Sequence, residues 1–308
     1  MDKMLHLSVS PHTHCGRSTS SIMLDVIIAL LPATIAGVVI FGLNALLVVA
    51  VCVAACVGFE YLFNLIAKKE QTIGDYSAIV TGLLLGLNLP ATTPIWQCVI
   101  GALFAIVVVK CLFGGLGYNF VNPAITARVL MLVSFASVAA PAFPAGVDAA
   151  AGATPLVQLA NGESVDLLTL LLGNHGGAVG ETCAIALILG FLYLLARDVI
   201  SWEIPVSFIG SVFVFSFLME GDAMKALAAI LSGGLLLGAI FMATDYVTSP
   251  TTPAGKLIFG LGCGLLTFLI RYFGSYPEGV SFAILIMNLV VPYIDKLTKH
   301  RIYGGKKA

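Results

Sequence analysis

A threonine hydroxyl stands near the end of DAAAGATPL, residues 148–156, in otherwise inert surroundings. Gly152, without a Cβ, lets another molecule approach the backbone closely, and Pro155 biases Thr154 toward an extended conformation that presents its side chain. Either the hydroxyl accepts a transferred group, or GAT is only a small-residue turn. Two carboxylates, Asp25 and Glu60, fall inside apolar runs, where charge is costly and commonly serves cation or proton transfer. Each has a plainer alternative: Asp25 as a first-turn acid at the positive end of a helix dipole, Glu60 as an acid snorkelling near Lys68. Glu60 is the stronger candidate for ion coupling.

Polar side chains gather at two further places. Asn119, Asn122 and Arg128 open YNFVNPAITAR, offering amides and a cation suited to a polar or anionic ring system. Thr244, Asp245, Thr248, Ser249, Thr251 and Thr252 form a matching cluster in the second half. Singly, each hydroxyl could be a helix cap; as groups at corresponding breaks, they suggest a site. PHTHC brings together His12, His14 and Cys15 without a fourth ligand nearby, so no metal is expected there. Cys52 and Cys56 share a helix face, but two thiols are an incomplete metal or cluster site.

The elements that must position these residues are membrane helices. Of 308 residues, 59% are hydrophobic and 10% charged, with a mean hydropathy of +1.03; ordinary soluble domains carry roughly 25% charged residues. Apolar runs predict ten spans, near 22–42, 45–66, 76–89, 94–113, 120–140, 179–196, 203–219, 224–243, 255–273 and 279–295. The fold class is therefore an all-α polytopic membrane protein. Twelve of the fifteen Lys and Arg residues fall on the side of the amino terminus if that terminus is cytoplasmic; only Lys225 and Arg271 fall opposite, and Arg128 within a span. The positive-inside rule then makes both termini cytoplasmic. The division that follows is a cytoplasmic segment 1–21, five spans over 22–140, an exported loop 141–178, five spans over 179–295 and a basic cytoplasmic tail 296–308. The polar start leads into a full-length span with no cleavage site, so no removable signal peptide is expected.

About fifty residues repeat. AIVTGLLLG at Ala78 nearly matches AILSGGLLLG at Ala229; each is followed by a Pro-Thr loop, LPATTP or SPTTP, and an apolar run ending at Lys110 or Arg271. Five spans separate the copies, and an odd number reverses orientation, so the expectation is a five-plus-five inverted repeat. The short third span and the loop after the eighth read as broken or re-entrant helices, which must enclose a central site. Solute channels share such an architecture, so the sites must decide function. The chain has no GxGxxG motif and no Cys-rich ferredoxin pattern, and no nucleic-acid partner is expected.

Three stretches, SPHTHCGRSTSSIMLDVIIALLPA (10–33), GGLGYNFVNPAITARVL (114–130) and FMATDYVTSPTTPAGKLIFG (241–260), together with DAAAGATPL, carry a resemblance over essentially the whole chain. The chain resembles the D subunits of the Rnf complex, the ion-pumping ferredoxin:NAD oxidoreductase of bacteria and some archaea. It also resembles the longer B subunit of the sodium-pumping NADH:quinone oxidoreductase, whose extra amino-terminal sequence this chain lacks. In that family a threonine in D-x-x-S-G-A-T carries FMN through a phosphoester installed by a flavin transferase. Asp148, Gly152, Ala153 and Thr154 occupy the matching positions, while Ala151 departs from the usual Ser or Thr.

The resemblance implies a flavoprotein subunit of the bacterial inner membrane that passes electrons through covalent FMN, coupled to Na⁺ or H⁺ translocation and inactive alone. It also implies a noncovalent riboflavin. Asn119, Asn122, Arg128, Thr244, Asp245 and Thr248 become flavin-lining or ion-path candidates. The implied partners are an NADH-side subunit, an iron–sulfur subunit, two small membrane subunits and an exported FMN subunit. The open alternatives are the quinone-reductase B subunit and a passive small-solute channel resembling urea transporters. The channel explains the repeat but not DAAAGATPL.

Overall fold

The computed structural model describes residues 17–144, 154–161, 165–274 and 278–299. Among these the protein is helical, with one isolated bridge, Ala142 to Gly177, and no strands. The first half holds α1 (Thr19–Phe41), α2 (Leu43–Ile66), α3 (Ser77–Leu87), α4 (Ile95–Leu103, continued by a π-helical stretch to Cys111), α5 (Pro123–Ser134) and α6 (Ala136–Ala139). Two short helices, α7 (Pro155–Ala160) and α8 (Leu167–Leu172), lie in the connecting segment that reads from sequence as a loop. The second half holds α9 (Ala184–Ala196), α10 (Glu203–Glu220), α11 (Ala223–Leu231), α12 (Leu235–Leu237, continued to Met242), α13 (Pro253–Phe273) and α14 (Val280–Leu297).

Five of these, α1, α2, α10, α13 and α14, are long and apolar enough to cross a bilayer, and the bent pair α11–α12 makes a sixth if it is one span. The remaining apolar helices, α3, α4, α5 and α9, run short of the usual crossing length of about 20 residues. The predicted fifth span, 120–140, is two elements, because the chain turns extended at Phe135 between α5 and α6.

The two repeat copies break differently. α3 runs unbroken through GLLLG and stops at Asn88. The carbonyls at and just past its end are taken up by backbone from the second half: Gly180 N–H donates to Leu87 O at 2.7 Å and Val179 N–H to Leu89 O at 3.1 Å. In the second copy the break lies within the predicted eighth span rather than in the loop after it, with a 65° bend between α11 and α12. The extra glycine there, Gly233, has φ +66°, a conformation that side chains with a Cβ disfavour. Arg271 occupies the gap, donating from Nη1 to Ala229 O at 2.7 Å and from Nη2 to Ser232 O at 3.1 Å. Both breaks are thus buried and satisfied by protein, as irregular backbone at membrane depth requires.

The ends of the bundle are distinct. Arg17 pairs with Asp198, Ser20 donates to Gly74 O, Lys256 donates to Ser201, and Thr252 and Thr298 meet at 2.6 Å. The first and last described segments therefore share one end. Gly37, near the far end of α1, abuts Val179, which leads into the segment beside Thr154.

Candidate functional site

Thr154 is the N-cap of α7. Its φ of −61° and ψ of 153° are extended, as Pro155 at the first helical position dictates, and its Oγ1 accepts weakly from Val157 N–H at 3.4 Å. Thr154 lines a cavity of about 280 Å³, near the lower bound of ordinary small-molecule sites, roughly 300 Å³. The bridge between Ala142 and Gly177 fixes one wall by a reciprocal pair of backbone bonds, 3.3 and 2.9 Å.

The cavity floor is charged. Arg128, 3% exposed, projects from α5 and donates from Nη2 to Glu278 Oε2 at 2.7 Å, while its Nε and Nη1 are buried without a hydrogen-bond partner. Glu181 and Glu278 also line the cavity. Buried guanidinium nitrogens left unpaired are costly, and their position beside a presented hydroxyl suits an anionic or electron-rich ligand. Asp148, Ala151, Gly152 and Ala153 lie outside the described residues, as do His12, His14 and Cys15.

A second cavity, about 100 Å³, lies toward the end shared by the first and last described segments. It gathers Asn119, Asn122, Thr244 and Asp245, with Ser77, Thr81 and Lys110. Asn122 caps α5 by accepting from Ala124 and Ile125 N–H, and its amide donates to Met242 O at 3.1 Å, tying the two halves together. Thr248 does not line the cavity but donates to Asp245 Oδ2 at 3.0 Å. The two polar groups singled out in the sequence therefore meet only in part: Asn119 and Asn122 reach Thr244 and Asp245, while Arg128 is carried by α5 to the Thr154 cavity, Thr251 pairs with Asp295 and Thr252 caps α13.

The acids find partners. Glu60, 1% exposed, accepts from Lys110 Nζ at 2.8 Å and Thr72 Oγ1 at 2.6 Å; Lys110 also donates to Ser77 Oγ at 2.6 Å, and Asn64 donates to Thr72. Its cation is Lys110, not the nearby Lys68, so Glu60 is an interior member of a polar chain rather than a snorkelling acid. Because Lys110 also lines the second cavity, that chain reaches it. Asp25 accepts from Tyr193 Oη at 2.9 Å and Arg197 at 3.4 Å; because α1 begins at Thr19, Asp25 lies beyond its first turn, so the pairing across helices replaces the expected first-turn dipole role.

Glu181, Glu278 and the pairing role of Lys110 were missed by sequence reasoning. Glu181 falls in the predicted span 179–196, so the rule that marked Asp25 and Glu60 would also have marked it. Glu278 sits in a Gly-Pro turn and carries no such signal.

Known proteins match the chain over nearly its whole length. The model of the NQR2, RnfD, RnfE family matches residues 6–304. The chain is 46% identical to the D subunit of the Na(+)-translocating ferredoxin:NAD(+) oxidoreductase complex of Acetobacterium woodii, over 98% of this chain and 96% of that one. It is 41% identical to the D subunit of the proton-translocating ferredoxin:NAD(+) oxidoreductase complex of Clostridium ljungdahlii, over 98% and 96%. The D subunit of the ion-translocating oxidoreductase complex of Aeromonas salmonicida is 35% identical, over 99% and 100%.

Proposed function

The chain belongs to the NQR2, RnfD, RnfE family, and from that premise we propose that it is the D-type subunit of an ion-translocating ferredoxin:NAD oxidoreductase complex, carrying FMN on Thr154. The observation that carries the flavin assignment is the cavity: it is lined both by Thr154, on an extended, proline-followed backbone, and by Arg128, whose Nε and Nη1 are buried and unpaired. Thr154 would anchor the phosphate, and Arg128 would face the ring or its phosphate. A flavin bound there supplies an electron carrier. The chain's own residues hold it, shield it with the 139–141 and 175–178 walls, and set the charge around it.

The same proposal extends to the rest of the molecule. In this reading short and bent helices count as crossings, ten in a five-plus-five inverted repeat; the even number puts both termini on one side of the bacterial inner membrane, and the Lys and Arg bias makes that side cytoplasmic and the side of Thr154 exported. The second cavity, with Asn119, Asn122, Thr244 and Asp245, is the candidate for noncovalent riboflavin or for part of an ion path. Glu60 and Asp25 remain the candidates for ion coupling. The partners are the NADH-side, iron–sulfur, small membrane and exported FMN subunits, with a flavin transferase for maturation. That the relatives at 46% and 41% identity are D-type subunits favours this over the quinone-reductase B subunit. The Thr154 cavity favours it over a solute channel.

The test is an assembled complex assayed with reduced ferredoxin and NAD, against NADH and quinone, together with a denaturing gel viewed for flavin fluorescence on this chain. Ferredoxin-linked activity with a fluorescent band is expected. Quinone-linked NADH oxidation without ferredoxin activity would assign the B-type role instead, and a dark band would remove the covalent flavin.

A further inference from the structure

The floor of the Thr154 cavity holds more than a retention site needs. The carboxyl groups of Glu181 and Glu278 converge on Gly234: a Cβ there would stand 2.8 Å from Glu181 Oε1 and 3.4 Å from Glu278 Oε1. Two carboxylates crowded into one buried place oppose each other's ionisation, which favours one proton held between the two groups. Arg128 binds Glu278 at 2.7 Å and so holds the negative charge there, leaving the proton with Glu181.

The other charged groups around the pair do not displace that proton. Arg271 lies behind Gly233, but both its terminal nitrogens are committed to Ala229 O and Ser232 O. His175, on the cavity wall, has its pKa pushed down by burial, which keeps it neutral. The floor therefore carries two guanidinium groups, one carboxylate and one carboxylic acid. Independently of the acids, Arg128 Nε and Nη1 are buried, unpaired and in the cavity lining, as is Glu181 Oε1. Unpaired positive charge and an available proton beside one space suit a group that gains electrons there.

We propose that the Glu181–Glu278 pair is the proton donor and acceptor for the redox group held at Thr154. When that group takes electrons from the complex's electron-transfer activity, the Glu181 O–H bond breaks, its electron pair stays on the carboxylate oxygen, and the proton bonds to the reduced group. On oxidation the proton returns to the pair. The carboxyls change only in protonation, and the electrons enter and leave through the partner redox centres. The identity of the group rests on the flavin assignment above; the shared proton does not.

Infrared spectroscopy of the full complex separates the two. In a complex carrying Thr154→Asn, which cannot be flavinylated, a carboxylic-acid C=O band sensitive to D₂O should persist at neutral pH, far above the ordinary glutamate pKa of about 4.3. It should vanish when Glu181→Gln is added. Should that variant fail to assemble, Glu181→Asp, which keeps a shortened acid, should shift the band instead. In the wild-type complex, reduction should bleach the same band, and Glu181→Gln should abolish that bleach. Absence of the acid band at neutral pH overturns the proposal, as does a band indifferent to reduction. A wild-type chain without covalent fluorescence removes the flavin assignment and the donor role with it, while the band in the Thr154→Asn complex still reports the shared proton.

Discussion

Arg128 on α5 and Glu278, just before α14, meet at 2.7 Å although 150 residues separate them. The pair joins the first half of the chain to the second at the cavity that Thr154 faces, so it serves packing as well as any ligand. Removing one partner of a buried pair leaves an uncompensated charge and costs roughly 3–5 kcal/mol, whereas removing both costs much less. Arg128→Met should therefore lower the thermal midpoint of the detergent-purified complex sharply, and Arg128→Met with Glu278→Gln should recover most of the loss. Equal midpoints for the single and double variants would mean that the pair contributes no coupling.

Glu60 and Lys110 make the same logic testable for ion coupling. Both side chains are 2% exposed, so Glu60→Gln alone confounds transport with the loss of a partner for Lys110. The double variant Glu60→Gln with Lys110→Met leaves no stranded charge. It should insert, assemble and retain fluorescence in a denaturing gel, yet lose most ion transport in sealed vesicles. Transport at the wild-type level would make the pair structural.

Much of the fold was legible because hydropathy and helix length are local quantities. α1, α2, α10, α13 and α14 fall within a few residues of their predicted bounds, and the short third span announced itself by Asn88 and Pro90. What was hidden is what distance in sequence hides. Asn122 and Arg128 look like one cluster because they are neighbours in the chain. Six helical residues rise about 9 Å, and that rise takes Arg128 out of the second cavity and into the Thr154 cavity. The partners that give Arg128 and Glu60 their roles, Glu278 and Lys110, are 150 and 50 residues away, and no periodicity points to them.

The packing of α2 on α3 gives a paired test of glycine. A Cβ on Gly82 would stand 2.6 Å from Val53 Cα, backbone that cannot swing aside, whereas a Cβ on Gly58 of α2 meets nothing within 4 Å. Gly58→Ala should be neutral or stabilising by up to about 1 kcal/mol, the helix-propensity difference. Gly82→Ala should lower the thermal midpoint and the yield of assembled complex, because the two helices must separate. A tolerated Gly82→Ala would show that α2 and α3 are not held at this spacing.

Sidedness is open to direct measurement. The first and last described segments share one end of the bundle, tied by the contacts of Arg17 with Asp198 and Thr252 with Thr298. If the Lys and Arg bias sets that end in the cytoplasm, a reporter fused after Ala308 should be active only as a cytoplasmic fusion, and one inserted near Gly162 only as an exported one. Reversal of either signal would put Thr154 on the wrong side for an exported flavin.

Thr154 carries two roles that substitution can separate. Its hydroxyl caps α7, a six-residue helix, and a lost N-cap costs about 1 kcal/mol; the same oxygen is the proposed phosphoester site. Thr154→Val is nearly isosteric but removes both functions, so a dark band from it could reflect local unravelling. Thr154→Asn keeps a strong capping group and offers no hydroxyl. Both variants should insert and assemble, and both should lose covalent fluorescence in a denaturing gel, while Thr154→Ser, which retains cap and hydroxyl, should keep partial fluorescence. Peptide mass analysis should place a single FMN-sized addition on the fragment holding residues 152–156, and only when the transferase is co-expressed. Fluorescence surviving in Thr154→Asn would put the flavin on another residue. A dark wild-type chain beside active transferase would remove the covalent flavin and point either to Ala151 as the disabling departure or to the solute-channel reading.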